Sequence, residues 1–286
     1  MNGGTALVLG GGGITGIAWE VGILAGLNSP ATNGSGSGGT DLTGADLLVG
    51  TSAGSIVATM VATGLTLDAM VARQREARAE SPRQVDIGLV MRAFTVLRDT
   101  SLDPQQARAR IGAMALGAQV GDEDEQVNSF AVQMPLADWP ERALIITGVD
   151  AETGEAVAWD RDSGVPLVRA VAASCAVPCV YPPVRINGRR YVDGGLRSGT
   201  NADLAAGATT IVVIAPMADA GPMGAPPAEL ELLRTHGSVT LIKPDEAARA
   251  AIGPNVLDPS RRVVALEAGL AQGAALARDG AVRLAR

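Results

Sequence analysis

The chain has 286 residues, 47% of them hydrophobic and only 2% aromatic, and a net charge of −7. That length suits one large α/β domain or two small ones, with ample apolar material for a core. The negative charge, the absence of a Lys/Arg cluster and the scarcity of rings exclude electrostatic capture of nucleic acid and base stacking. Cys175 and Cys179 are the only cysteines and set neither a disulfide framework nor a metal site. No cofactor is therefore expected. A cytoplasmic location is expected, since no basic segment introduces a secretory signal.

Thr5 to Leu9 reads as a short buried strand. Gly10 to Gly13 follow, then Ile14-Thr15-Gly16 and an apolar helix through Leu27. The apolar span Ala6–Leu27 has the length of a membrane span, but its glycine run and Glu20 argue for strand, loop and helix. With no anchor visible, any membrane contact would be peripheral. Asn28 to Gly44 is a long Gly/Ser/Thr/Asn loop. Ala45 to Val49 is a strand and Ile56 to Thr63 a helix. Between them Gly50-x-Ser52-x-Gly54 forms a nucleophile elbow, where a strand turns sharply into a helix and its serine meets free N–H groups. A plain N-cap serine fits the same pentapeptide.

A charged helix begins at Thr66 or Asp68 and covers Met70 to Glu80. Val85 to Arg98 is a second helix, with Ile87, Met91 and Phe94 on one side, read either as a cap over an acyl pocket or, more plainly, as a core-facing helix. Asp103 to Leu116 is a third. Gly121 to Glu125 reads as a solvated acidic loop. Ala143 to Val149 and Ala156 to Trp159 form a strand and its hairpin partner, Leu167 to Ser174 a helix, Arg189 to Val192 a strand ending in Asp193-Gly194-Gly195, and Thr209 to Ala215 a strand. Ala220 to Ala228 is a Pro/Gly loop, Ser238 to Ile242 a strand and Pro259 to Arg286 a largely helical tail. Without an internal repeat or linker the chain is read as one domain, residues 1–286, with a mainly parallel sheet between helices. The pocket walls are expected from the helices of Met70 to Leu116 and the loops at 28–44 and 220–228.

Gly11-x-Gly13-x-x-Gly16 fits a dinucleotide fingerprint, but no second strand ends in an acidic residue at the required distance. The other use of such a loop is an oxyanion hole, in which amides of Gly11, Gly12 and Gly13 converge on one point. In a parallel sheet this loop and Ser52 share one edge. A triad needs a histidine, and the only one, His236, stands near a helix C-terminus. Asp193, at a strand end before two glycines, is the alternative base; a tight turn is its plainer reading. A solvated Asp is a weak base near pKa 3.9, and burial would raise it.

Gly11-Gly12-Gly13-Ile14-Thr15-Gly16, Gly50-Thr51-Ser52-Ala53-Gly54 and Asp193-Gly194-Gly195 occur in order. With them stand Ala173 to Pro178, Tyr181-Pro182-Pro183 and Gly188 to Val192. Together they resemble the patatin-like phospholipase family over roughly residues 5 to 215. The resemblance implies a three-layer α/β/α sandwich and a serine acyl-ester hydrolase acting on lipids as a phospholipase A, lysophospholipase or non-specific acyl hydrolase. It implies Ser52 as nucleophile, Asp193 as base and the Gly11–Gly13 amides as oxyanion hole. Gly16, Gly50, Gly54, Gly194 and Gly195 would support the turns. Thr15 departs from the Arg or Lys common at that place, which bears on substrate choice. An acyltransferase using the same dyad is the alternative, ahead of a non-catalytic lipid-binding or a nucleotide-binding protein.

Overall fold

The computed structural model describes residues 3–29, 39–76, 87–133 and 138–282. Most of the 28–44 loop, the predicted helix ends at 77–80 and 85–86, and the last four residues of the tail lie outside them. The strands are β1 (Thr5–Leu9), β2 (Leu47–Gly50), β3 (Ala143–Asp150), β4 (Ala156–Trp159), β5 (Val184–Ile186), β6 (Arg189–Asp193), β7 (Thr210–Ile214) and β8 (Ser238–Ile242). They make one eight-stranded sheet along the path β5-β6-β3-β2-β1-β7-β8, with β4 also on β3. β8, β7, β1, β2 and β3 are parallel; β4, β5 and β6 pair antiparallel.

The apolar run Ala6-Leu7-Val8-Leu9 is buried throughout because both faces of the sheet are covered. Leu7, Leu9 and Leu48 enter one core with α1 (Gly13–Asn28), α2 (Ala53–Ala62) and α10 (Arg262–Arg278). Ala6, Val8, Leu47 and Val49 enter another beneath α8 (Pro227–Arg234). This is the three-layer α/β/α arrangement. α1 and α10 lie unusually close. A Cβ on Gly22 would stand 2.4 Å from the Leu266 carbonyl oxygen, and one on Gly269 2.4 Å from that of Trp19. The span Ala6–Leu27 is divided between β1 and α1, and among the described residues no helix is long and apolar enough to cross a membrane.

The remaining helices are α3 (Leu67–Glu76), α4 (Ile87–Val96), α5 (Pro104–Gly117), α6 (Glu123–Gln133), α7 (Leu167–Ser174) and α9 (Glu246–Ile252). Asp103 caps α5 as its composition suggests, accepting from the Gln105 amide at 2.9 Å. Three sequence expectations need correction. The acidic stretch is not a loop: Glu123, Asp124 and Glu125 form the first turn of α6, where the helix dipole favours them. The 220–228 loop ends in α8. In α4 Phe94 and Val90 of the predicted apolar side pack, with Leu97 beyond the helix, against the core at Ala93, while Met91 is 58% exposed and departs from that side.

Candidate active site

β2 ends at Gly50, and the chain folds back into α2 through Ser52 at φ 53°, ψ −122°. A side chain there is strained by about 1–3 kcal/mol. The flanking glycines permit the turn by close approach. A Cβ on Gly54 would meet the Leu9 carbonyl oxygen at 2.0 Å, and one on Gly50 the Ser55 Cα at 2.5 Å. Ser52 does not cap α2. Its amide donates to Ser174 Oγ at 2.9 Å, and its side chain lies close enough to the carboxylate of Asp193 to lower that acid's pKa. An N-cap serine would point the other way.

Asp193 reaches Ser52 because of strand register. Ile146 of β3 stands opposite both Gly50 of β2 and Trp159 of β4, while Gly148 stands opposite both Val157 of β4 and Asp193 of β6. One residue can face two partners only across its two edges. β2 and β6 therefore share one edge of β3 and run towards each other, so the elbow and the end of β6 meet. Asp193 is buried and accepts from the Gly195 amide at 2.7 Å. Burial lifts its pKa to about 6, against the lowering effect of Ser52 and the Gly195 amide. It does serve a turn, capping the 3-10 helix Gly194–Leu196, and it stands beside Ser52 as well.

The glycine loop lies at the neighbouring end of β1. Gly11 faces Ser52, its notional Cβ 3.6 Å from the serine Cβ, but its amide donates to Gly199 O at 2.8 Å. Among the described residues the amides of Gly12, Gly13 and Ala53 have no hydrogen-bond partner, so these, rather than Gly11, are open to a ligand. Gly12 must be small, since a Cβ would strike Pro216 at 2.6 Å, and Gly13 sits at φ 60°. Gly16 packs against the same Pro216.

Several polar residues at the site carry no motif. Thr147, between the residues that face Gly50 and Asp193, donates to Thr51 Oγ1 at 2.9 Å, and Asn201 Nδ2 donates to that same Thr51 oxygen at 3.0 Å and to Ser198 O at 2.8 Å. This buried network ties the elbow to the Asp193 loop. Ser55 donates to Ser52 O at 2.6 Å. A polar residue recurring inside otherwise buried strands was the available signal for Thr147.

His236 is exposed beside the start of β8, whereas Ser52 follows the end of β2, so the parallel sheet places them at opposite edges. Cys175 lies beside the site, its Sγ 3.3 Å from Ser52 O, but burial and the nearby Asp193 push its thiol well above its ordinary pKa. It is a packing group there. Among the described residues no group of His, Cys, Asp and Glu could hold a metal ion. A pocket of about 110 Å³ opens on Ser52 and Ala53, walled by Ile17, Ile56, Phe130 and Leu257. Among the described residues its walls come from α1, α2, α6, the segment Cys175 to Tyr181 and the approach to α10, not from the helices of 70–116 or the 220–228 loop.

The fold is of the α/β/α class, with a serine elbow at the carboxyl edge of its parallel strands. The sequence pattern of the patatin-like phospholipase family matches residues 7–206, and the chain belongs to that family. It is thereby a lipid carboxylic-ester hydrolase. Among solved structures it is similar to VipD from Legionella pneumophila, at 13% identity and TM-score 0.44, covering 96% of this chain and 67% of that one. It is also similar to the type III effector protein ExoU, at 16% identity and TM-score 0.38, covering 94% of this chain and 53% of that one. No curated protein matches the chain.

Proposed function

We propose that the chain hydrolyses the acyl esters of phospholipids or lysophospholipids through a Ser52–Asp193 dyad and a covalent acyl-enzyme. What carries this reading is the strand register that sets the elbow serine beside a buried carboxylate with a pKa lifted to about 6. A carboxylate so shifted is ionised at neutral pH yet basic enough to share a proton in the transition state.

Ser52 Oγ attacks the ester carbonyl carbon and its proton passes to Asp193. The carbonyl π electrons move onto oxygen, where the Gly12, Gly13 and Ala53 amides stabilise the charge by roughly 3 kcal/mol per well-placed donor. The C–O bond to the alcohol breaks, the leaving oxygen takes the proton from Asp193, and acyl-Ser52 remains. Water attacks that acyl carbon and gives its proton to Asp193. The Ser52–acyl bond breaks, the fatty acid leaves, and the proton returns to Ser52.

The test is a fluorophosphonate ester probe. Wild type is expected to be labelled and Ser52→Ala not; labelling that persists in Ser52→Ala removes Ser52 as the nucleophile.

A further inference from the structure

Three residues of one buried segment each reach a different part of the site. Gly199 O accepts from the Gly11 amide, in the glycine loop, at 2.8 Å. Thr200 O accepts from Thr51 Oγ1, in the elbow, at 3.3 Å. Asn201 Nδ2 donates to the same Thr51 oxygen at 3.0 Å and to Gly194 O, beside Asp193, at 3.3 Å. Residues 199–201 are thus where the three functional turns meet.

What fixes this segment comes from later in the chain. The short 3-10 helix Ala202–Ala205 follows it, and Asn201, at its N-cap with φ 49°, does not cap it. Asparagine is a good cap, but here its side chain is turned to Thr51 and Gly194 instead. Glu229, in the first turn of α8, takes over the cap. Its Oε1 accepts from the Ala202 amide and from Thr200 Oγ1, the latter at 2.8 Å. Bonds accepted by a carboxylate are about twice as strong as neutral ones. Gly224 O adds a further hold, accepting from the Gly199 amide at 3.0 Å. Both Gly224 and Glu229 lie beyond the residues, 7–206, that match the family pattern.

We propose that Glu229 is a positioning residue for the oxyanion loop. By holding residues 200–202 it fixes Gly199 O, and through that oxygen the Gly11 peptide. The amides of Gly12 and Gly13 follow Gly11 by one and two residues, so their aim is set with it. This rests on the hydrolase reading above. Oxyanion donors act only when placed within about 0.5 Å of the productive geometry. A ground-state ester carbonyl carries little charge, so a misplaced donor costs rate rather than binding.

The experiment measures kcat and KM for p-nitrophenyl octanoate and the Ki of octyl trifluoromethyl ketone. Ser52 Oγ adds to the ketone carbon, its proton passes to Asp193, and the carbonyl electrons leave an oxyanion on the ketone oxygen. Glu229→Ala should lower kcat about tenfold with KM within about twofold, and weaken the ketone by the same factor as kcat. Glu229→Gln keeps an acceptor and should recover most of both. Thr200→Val removes one of the two bonds and should fall between. A folded Glu229→Ala with the kcat of wild type, or with kcat lost and ketone affinity kept, overturns the proposal. Thermal melts identify a variant that fails to fold. Should Glu229→Ala be one, unchanged kcat and ketone affinity in Thr200→Val overturns it.

A second readout is independent of turnover. Amide hydrogen exchange followed by NMR should show Gly11 exchanging about tenfold faster in Glu229→Ala, with Leu7 and Val8 of β1 unchanged. If wild type hydrolyses no ester but Gly11 loses this protection, the hydrolase reading fails and the hold of Glu229 on the glycine loop stands. Equal Gly11 exchange in both proteins overturns that hold. Faster exchange along β1 as well marks a global loss of stability and overturns it too.

Discussion

The backbone amide of Ser52 donates to the hydroxyl of Ser174 at 2.9 Å, across 122 positions of sequence. This bond holds a residue at φ 53° and turns its N–H away from the carbonyl that Ser52 is proposed to attack. Ser174→Ala would leave a buried amide unpaired, at about 1–3 kcal/mol. The expected result is a melting temperature lower by roughly 2–4 °C per kcal/mol. A kcat reduced about tenfold at nearly constant KM should accompany it. Equal melting temperature and kcat in wild type and variant would show that the elbow holds itself.

The strain at Ser52 can be separated from its chemistry. Both Ser52→Ala and Ser52→Gly should be inactive, but only glycine is at ease at φ 53°, ψ −122°. Differential scanning calorimetry should place Ser52→Gly above Ser52→Ala by about 1–3 kcal/mol. The reverse order would mean that Ala53 and Gly54 absorb the turn without strain.

The sheet was largely legible because buried parallel strands read as short unbroken apolar runs, as in Thr5–Leu9 and Leu47–Gly50. The elbow, the glycine loop and the Asp193 turn were legible because each needs residues that no ordinary element demands together. What could not be read was long-range. Gly11 looked equivalent to Gly12 and Gly13 until Gly199, far along the chain, was seen to take its amide. Met91 looked like a core residue because helical periodicity gives a face but not which neighbour covers it. Gln126 and Arg262, which line the pocket at Ser52, lie just past the stretch read as a solvated turn and within the helical tail, and neither carries a local signal of a pocket formed between elements.

His236 hydrogen-bonds only locally, its Nδ1 lying 2.7 Å from Thr235 Oγ1 and 3.3 Å from Leu232 O. Standing at the opposite edge of the sheet from Ser52, it has no path to the ester. His236→Ala should therefore hydrolyse a p-nitrophenyl ester within about twofold of wild type. A loss of several orders of magnitude in a folded variant would restore a histidine base.

Asp193 and Glu20 give opposite lessons about buried acids. Both are raised by burial, Asp193 to about 6 and Glu20 well above its ordinary range, where the Gly10 backbone offsets only part of the burial effect. For an acid raised in the folded state, the stabilising contribution is complete below the unfolded pKa and is lost as pH rises through the folded one. For Asp193 that loss falls between about pH 4 and 6 and amounts to about 3 kcal/mol. The ionised form that it produces is the one able to accept the Ser52 proton. Activity should therefore rise with pH through about 6 and then level, while stability falls over the same interval. Asp193→Asn should abolish turnover and gain stability relative to wild type across that interval only. Glu20→Gln should likewise gain on wild type as pH rises above the ordinary glutamate range, but with turnover kept. Chemical denaturation at pH 4, 6 and 8 follows both, and an advantage of Asp193→Asn already complete at pH 4 would mean that its carboxylate is not the shifted group.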